Sequence, residues 1–444
     1  MKDQKRRLEF FSFYDHTGIE RHLERMAEQG WLLEEIGRFT WHYRRIEPKK
    51  LTYSVSYFPK ASPFDPEPSE EQEMFYDFCA HTGWTLAAAS AQLQVFRNER
   101  PSPVPIDTDP ALEVEAIHKS AKKGWLISQA IFFAMAVMYS AILIHQIRTS
   151  AIWVLSSPAS LFQAVCWPAL LLITGVDVAT YFRWRHRALR AAEQGEFLAT
   201  RGHPGLQKLI LAVVLAAFLG LLLTLAGYQS PMTAALMGLL LMGYVLLLAL
   251  VSKVVELMKR RKASAGTTQA AAFAAAIGIA LLMTAAVPFL VIHGFGYDRN
   301  AHAARPDDPV LRMEDLMDTG GLDYPFEDNV NQSPLLARHF VRLSPEPWSR
   351  DAPALSYIVY VVKAPFLYGV CKNELVSLDE PQMWYEPIDP APWGAAEAYQ
   401  EYYQDTGPGH SYILFYPERI VTFNANWELT PGQMAVAGEK LGGQ

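Results

Sequence analysis

Long stretches without charged residues constrain the fold of this chain more than any other feature. A helix needs about 20 residues to cross the ~30 Å hydrocarbon core of a bilayer. Four stretches of at least this length contain no charged residue, and a fifth, Ile152–Phe182, contains a single acid, Asp177. The sequence therefore predicts five transmembrane helices within residues 125–293, with Ile152–Ser160 at the interface before the second span. The four stretches without any charge are Trp125–Gln146, Leu209–Tyr228, Met232–Val251 and Ala270–His293.

Basic residues between the stretches predict the orientation of the chain. Three precede the first span, six lie between the second and third, and five lie between the fourth and fifth. The opposite turns, Ile147–Ala151 and Gln229–Pro231, contain only Arg148. Loops rich in Lys and Arg stay in the cytoplasm, and Leu8–Tyr14 is too short for a secretory signal. We therefore expect a multi-pass protein of a bacterial cell membrane, with a cytoplasmic N-terminus and an extracytoplasmic C-terminus.

The two halves of the chain differ in charge. Residues 294–444 contain 10 Lys and Arg against 22 Asp and Glu, whereas residues 1–293 contain 29 against 24. The overall charge of -7 gives no support for direct nucleic-acid binding. We predict a cytoplasmic domain over residues 1–110, a linker helix over 111–124, the membrane region over 125–293, and an acidic extracytoplasmic α+β domain over 294–444.

A faint repeat organises the cytoplasmic part. Shifting the sequence by 53 residues aligns Gly30-Trp31 with Gly83-Trp84, and Tyr43-Arg44 with Phe96-Arg97. A helical pattern precedes each copy, beginning near His16-Thr17 in the first and after Ser69 in the second. Glycine ends each helix, where a left-handed residue costs least.

Strands flank both predicted helices, and each tryptophan is expected to pack between a helix and its sheet. The unit is therefore strand–helix–strand–strand, written twice, which predicts a duplicated βαββ domain. The predicted strands are Leu8–Tyr14, Trp31–Gly37 and Phe39–Ile46 in the first copy, and Leu51–Phe58, Trp84–Ser90 and Leu93–Arg97 in the second.

Aromatic residues on these strands form the candidate ligand site. They suit an apolar or cationic ligand, although packing in the protein core explains aromatic residues equally well. Nearby carboxylates at Asp15, Glu34 and Glu35 would balance a cation, or are solvated. Duplications of this type resemble the gyrase-inhibitor-like modules that bind small molecules. The predicted ligand-binding residues are Trp41, Tyr43, Tyr53 and Tyr57.

One stretch resembles a known family. The segment "FSFYDHTGIERHLERMAEQGWLLEEIGRFTWHYRRIEPKKLTYSVSYFPKASPFDP", followed by "GW" and "PVPIDTD", is similar to the bacterial domain of unknown function 2812, over about residues 8–110. The resemblance implies that the domain continues into membrane helices, and that its partner is a PadR-like transcriptional regulator. That family has no agreed activity, so it implies no catalytic residues.

Few residues outside this domain suggest chemistry. Asp177 is the only acid within a predicted span, where it could serve a conduction path or simply pair with the arginines that begin at Arg183. The acidic C-terminal domain should contain strands at Ser356–Val362, Ser411–Tyr416 and Ile420–Phe423, a helix at Ala395–Tyr403, and a final helix after Thr430. Its histidines, His302, His339 and His410, lack metal-ligand spacing.

These patterns predict a membrane sensor or regulator that binds a ligand or a protein partner and has no catalytic residue, metal or cofactor. The alternative is an accessory subunit of a transporter or of an envelope-stress system. A membrane enzyme is the least favoured class, because no acid–base pair or nucleophile has a suitable setting.

Overall fold

The computed structural model describes residues 3–37, 40–229, 231–289, 310–347, 349, 352–377 and 382–443. It divides into two compact units. The first unit comprises Met1–Tyr139, Cys166–Ala216 and Leu240–Val287. The second comprises Ser140–Val165, Ala217–Leu239 and Pro288–Gln444.

The N-terminal part of the first unit contains two three-stranded antiparallel sheets. Their strand orders are β1-β3-β2 and β4-β6-β5, so in each sheet the first strand pairs with the last. A helix follows the first strand of each sheet. The elements are β1 (Gln4–Arg7), α1 (His16–Glu28), β2 (Trp31–Ile36), β3 (Trp41–Arg45), β4 (Thr52–Tyr57), α2 (Glu70–His81), β5 (Thr85–Ser90) and β6 (Leu93–Asn98).

Both predicted helices are present, with the predicted ends. Gly30 and Gly83 follow them with φ of 81° and 91°, in the left-handed region that favours glycine. Ser69 begins α2 with a capping box, in which its hydroxyl accepts from the Gln72 amide and the Gln72 side chain accepts from the Ser69 amide. Helix α1 buries Ile19, Leu23 and other apolar residues at helical spacing against the sheets.

The two repeat tryptophans differ in their surroundings. Trp84 is buried with Cys79 and Phe96, and its indole Nε1 donates a hydrogen bond to the Val104 carbonyl at 2.8 Å. Trp84 thus packs between α2 and its sheet, as predicted. Trp31 is only partly buried, and Lys5 Nζ and the guanidinium of Arg45 both lie 5.0 Å from its ring centroid.

The strand predicted over Leu8–Tyr14 is wrong. The first strand ends at Arg7, and the following residues are not in a sheet. The ring of Phe13 stacks on Trp125 with centroids 6.1 Å apart, and Tyr14 meets Tyr181 edge to face. The aromatic residues of this run therefore pack against helices instead of pairing as a strand.

Helices fill the middle of the chain. Within the part of the chain that the structure describes, four of them are long and apolar enough to cross a membrane, with candidate spans at Trp125–Thr149, Pro158–Ala192, Pro204–Gly227 and Ala265–Leu282. The helices are α3 (Pro110–Lys123), α4 (Trp125–Thr149), α5 (Ala151–Ser156), α6 (Pro158–Ala192), α7 (Pro204–Thr224), α8 (Pro231–Arg260) and α9 (Ala265–Phe289).

The predicted count of five spans is not confirmed. Helix α8 covers the predicted span Met232–Val251, but several of its side chains lie outside the described residues. The end of the last predicted span, residues 290–293, also lies outside them. The stretch Ile152–Ser160, expected before the second span, contains the separate short helix α5 and the start of α6.

The second unit is built around a seven-stranded antiparallel sheet of order β10-β11-β12-β13-β9-β8-β7. Side chains alternate between its faces, as the two-residue period of a strand requires. One face packs on α10 and α12, and the other packs on α5 and α11. Its elements are α10 (Met313–Leu316), β7 (Phe326–Gln332), β8 (Leu336–Leu343), β9 (Leu355–Val362), α11 (Tyr368–Val376), β10 (Met383–Ile388), β11 (Glu397–Tyr403), β12 (Gly407–Phe415), β13 (Arg419–Ala425) and α12 (Pro431–Gly442).

Most predictions for this domain agree with the sheet, but the helix at Ala395–Tyr403 is wrong. Those residues form β11, which pairs with β10 on one side and β12 on the other. The tyrosines at 399, 402 and 403 have helical spacing, but pairing on both edges of the strand overrides that local signal. The final helix begins after Thr430, as predicted. His302 lies outside the described residues.

Candidate functional site

The four predicted ligand-binding aromatic residues lie together in the core of the first unit. Trp41, Tyr43, Tyr53 and Tyr57 have exposed fractions of 9%, 1%, 4% and 8%. The Tyr57 hydroxyl donates to the Phe13 carbonyl, and the Tyr43 hydroxyl donates to Glu9 Oε1 at 3.3 Å. A ligand would reach these side chains only after the domain rearranged.

The acids proposed to balance a cation have separate roles. Glu34 pairs with Arg44 at 2.9 Å, and Glu35 pairs with His42 at 3.1 Å, both on the sheet surface. Asp15 is buried instead, directly before α1. The three carboxylates therefore do not converge on one point.

A different set of residues joins the N-terminal domain to helices. The segment from Ser12 to Thr17, which we term the junction segment, forms hydrogen bonds with residues more than 160 positions away. The Ser12 hydroxyl donates to Asp177 Oδ1 of α6 at 2.8 Å, and the Tyr14 hydroxyl donates to Thr180 Oγ1 of α6 at 2.9 Å. Buried polar groups in such pairs fix one geometry, because a shifted partner leaves a donor or acceptor unsatisfied.

The junction segment continues into a reciprocal pair. The Thr17 amide donates to Thr200 Oγ1 at 3.1 Å, while the Thr200 amide donates to Thr17 Oγ1 at 3.0 Å. Thr200 belongs to the stretch between α6 and α7 and is fully buried. The start of α1 is thereby tied to the loop between two candidate spans.

Asp177 is held by polar side chains. Besides Ser12, it accepts from Gln207 Nε2 of α7 at 3.3 Å to one carboxylate oxygen. The expected pairing with the arginines that begin at Arg183 is not its contact here, since its hydrogen bonds go to Ser12 and Gln207. Asp177 thus links the N-terminal domain with both α6 and α7.

Aromatic rings surround these hydrogen bonds. Tyr14 lies at the centre, with the rings of Trp125, Tyr181 and Trp184 at centroid distances of 5.9, 5.3 and 5.7 Å. The linker helix α3 reaches the same place, since His118 Nδ1 lies 2.7 Å from the Tyr181 hydroxyl. The rings exclude water, which strengthens the hydrogen bonds that they enclose.

Next to the junction segment is an acidic cluster, by which we mean Glu20 of α1, Asp107, and Glu113 of α3. Burial raises the pKa of Glu20 to about 8, and the nearby Glu113, Glu24 and Asp107 add to the shift. Burial also raises the pKa of Glu113 to about 7, and Asp107 contributes by repulsion. Two of these carboxyls therefore change protonation near neutral pH.

Hydrogen bonds tie the acidic cluster to β4. Glu20 Oε1 accepts from the Val55 amide at 2.9 Å, and Asp107 Oδ2 accepts from the Ser56 hydroxyl at 2.7 Å. Glu113 Oε1 lies 3.2 Å from Nε2 of His16. Burial lowers the pKa of His16 to about 4, so at neutral pH this contact is a hydrogen bond to a neutral imidazole rather than an ion pair.

The arrangement is a set of hydrogen bonds that joins the N-terminal domain to α6, to α7 and to the stretch between them, with titratable groups beside it. No group of three or more His, Cys, Asp or Glu among the described residues is placed to hold a metal ion. The sequence reasoning identified Asp177, but it did not find Ser12, Thr17, Thr200 or Gln207. The aromatic run from Phe10 to Tyr14 was the available signal of a packing surface, but its alternation predicted a strand instead.

A comparison with known protein families gives a match to part of the chain. The model of the family described as protein of unknown function (DUF2812) matches residues 15–133, from the residue before α1 into α4. The predicted resemblance is therefore confirmed for this part of the chain. The match includes α3 and the acidic cluster, and it ends before α6. Neither the curated proteins nor the solved structures give a match.

Proposed function

We propose that this chain is a multi-pass membrane protein that senses a ligand or protein partner and passes the response between its soluble domains, without catalysis of its own. The observation that carries the proposal is the position of α6. Its first residues belong to the second unit, and its residues from Cys166 onward belong to the first. One helix of 35 residues therefore contributes to both units.

Specific contacts hold α6 in the first unit, and the adjoining helix α5 in the second. In the first unit, the junction segment bonds to Asp177 and Thr180. In the second unit, α5 directly precedes α6, and the Ile152 amide of α5 donates to Glu374 Oε2 of α11 at 2.9 Å. A simple anchor needs only an apolar span, whereas buried polar pairs of fixed geometry would pass a displacement of α6 to the N-terminal domain.

A fifth span is part of the proposal. The stretch Met232–Val251 within α8 is free of charge and 20 residues long. With α8 in the membrane, the two soluble domains lie on opposite sides, and the loop charges put the N-terminal domain in the cytoplasm of a bacterium. With four spans, both domains would lie on the same side.

The N-terminal domain is proposed to be a duplicated βαββ module. The equal strand orders of its two sheets, a helix after each first strand, and the contact between β2 and β5 support a duplication around a pseudo-twofold axis. The core that contains Trp41, Tyr43, Tyr53 and Tyr57 would open to admit an apolar or cationic ligand. The resemblance to domain of unknown function 2812 suggests a PadR-like regulator as the protein partner.

Crosslinking in native membranes tests the sensory function. Three full-length proteins are crosslinked in separate samples: the native chain, the Asp177→Asn variant, and Thr52→Val as a matched surface control. We expect a regulatory protein to be captured by the native chain and by Thr52→Val, but in a different yield by Asp177→Asn. Capture of transport subunits in all three, or of nothing, would overturn the proposal.

The rival function, an accessory subunit of a transporter, is also tested through Asp177. Asp177 is the only acid in a predicted span, so a conduction path would depend on it. A flux lost in Asp177→Asn, with the conformational contacts intact, favours transport. The sensor proposal expects no flux to depend on this carboxylate.

A further inference from the structure

An exposed apolar surface lies on the second unit, on the helix that begins with the 3-10 turn Pro365–Leu367 and continues as α11. Leu367, Cys371 and Leu375 face the sheet and are buried. Phe366 and Val370 are on the outside, one helical turn apart, with 78% and 44% of their surface exposed. We call the outer face of this helix the Phe366 surface.

The exposed positions of the Phe366 surface contain no charged residue. Its other exposed positions are Pro365, Gly369 and Asn373, none of which is charged. The charged side chains of α11 are paired within the domain, since Lys372 Nζ donates to Glu397 Oε2 at 2.6 Å and Glu374 Oε2 accepts from the Ile152 amide at 2.9 Å. Two exposed apolar side chains without a charged residue at the exposed positions beside them suit the interfacial region of a bilayer better than water.

The position of α11 places the Phe366 surface near the candidate membrane spans. Helix α11 packs on α5, and α5 joins the candidate spans α4 and α6. Only residues 150–157 separate the two spans, so at ~1.5 Å per helical residue α5 lies within about 10 Å of the hydrocarbon edge. Whatever packs on α5 is therefore at the depth of the lipid headgroups.

Helix α5 itself has the residues of a membrane interface. Trp153 exposes 54% of its surface, and the guanidinium of Arg338 lies 5.5 Å from its ring centroid. Tryptophan and arginine are favoured at the headgroup level, where a ring or stem meets lipid and the polar end meets water. Trp153 of α5 and Arg338 of β8 thus place an aromatic ring and a cation beside the helix on which α11 packs.

We propose that the Phe366 surface and Trp153 insert into the headgroup region of the bilayer, so that the acidic domain lies on the membrane through contacts beyond its covalent connections. The partner is a lipid surface, with Phe366 and Val370 reaching the acyl boundary and the Arg338 guanidinium beside Trp153 near the phosphates. This inference rests on the proposed membrane insertion of α4 and α6.

Depth-dependent quenching tests it on the full chain. A cysteine-free variant is given a single fluorescent label at Phe366→Cys, Val137→Cys or Ala435→Cys, in vesicles of phosphatidylcholine and phosphatidylglycerol with a nitroxide on the acyl chain. Val137 is an exposed residue of α4 and reports the span. Ala435 is exposed on α12, which covers the opposite face of the sheet.

We expect the nitroxide to quench the label at Phe366→Cys several-fold more than the label at Ala435→Cys. The label at Val137→Cys should also be quenched. Quenching at Val137→Cys with none at Phe366→Cys would overturn this inference alone. A blue-shifted label at Phe366→Cys without quenching would show that protein covers the surface, which also overturns it. Absence of quenching at Val137→Cys would contradict the membrane insertion itself.

Discussion

Thr17 and Thr200, 183 positions apart, each donate a main-chain amide to the other's hydroxyl oxygen. Their two hydroxyl oxygens lie 3.1 Å apart. This reciprocal pair closes the junction segment onto the stretch between α6 and α7. It fixes where α1 starts, so the domain and the helices of the first unit are in one defined arrangement.

Replacement of Thr17 by valine removes one half of this pair. The buried Thr200 amide then loses its acceptor, which costs about 1–3 kcal/mol for an unsatisfied buried donor. We expect faster hydrogen exchange in peptides that cover residues 196–204 and a lower melting temperature of the full chain. Thr52→Val is the matched control, because the Thr52 hydroxyl donates to the Arg100 carbonyl at an exposed position. Equal losses in both variants would contradict the role of the pair.

The acidic cluster predicts how stability depends on pH. The pKa of Glu20 is raised to about 8 when folded, above the value near 4.5 of an exposed glutamate. Between these values the unfolded chain binds fewer protons than the folded chain, so stability falls as pH rises from about 5 to about 8. In Glu20→Gln, which keeps an acceptor for the Val55 amide, we expect a flatter profile, with a gain of the order of 1–3 kcal/mol at the upper end.

Hydrogen-exchange protection of α1 and β4, corrected for the intrinsic rate, measures this dependence near pH 6 and pH 8. Glu34→Gln is the control, since Glu34 is on the sheet surface and pairs with Arg44. A surface carboxylate of this type contributes little. A profile of Glu20→Gln that parallels the native one would contradict the assignment.

Two glycines of α12 should respond in opposite directions to alanine. A Cβ at Gly438 would overlap the main-chain carbonyl of Trp393, whereas nothing lies within 4 Å of one at Gly432. Gly438→Ala should therefore lower the melting temperature by separating α12 from the sheet, at a cost of about 1–3 kcal/mol. Gly432→Ala should be neutral or stabilising, by up to ~1 kcal/mol. Equal shifts would show that α12 is not packed as described.

Accessibility of single cysteines decides the number of spans. Met74 is exposed on α2, and Ala435 is exposed on α12. With five spans, a membrane-impermeant maleimide should label Ala435→Cys in intact cells, and Met74→Cys only after permeabilisation. Equal labelling of both in intact cells, or of neither, would indicate an even number of spans.

The sequence was sufficient for elements whose signals are local. The helices that end at Gly30 and Gly83, the helix after Ser69, and the strands of the acidic domain near Ile420 follow from caps and side-chain alternation. The strand predicted over Leu8–Tyr14 does not form, because aromatic residues of this run contact helices that are distant in sequence. The turn at residues 404–406, which would have indicated a hairpin between β11 and β12, was also overlooked.

The candidate site was predicted only in part, for a related reason. Asp177 is conspicuous as one acid in an apolar stretch, but its partner Ser12 lies 165 positions away. No spacing in the sequence connects them. Trp41 and Tyr43 were expected near a ligand from their residue type alone, and the same aromatic character places them in the core.

Hydrogen exchange of the full chain in lipid nanodiscs is the most direct test of coupling through α6. The double variant Ser12→Ala/Asp177→Asn disturbs only contacts in the first unit. If α6 couples the two units, protection should change in α1 and also in α11, which holds the Ile152 amide through Glu374. A change confined to α1, α6 and α7, with α11 identical to the native chain, would contradict the account.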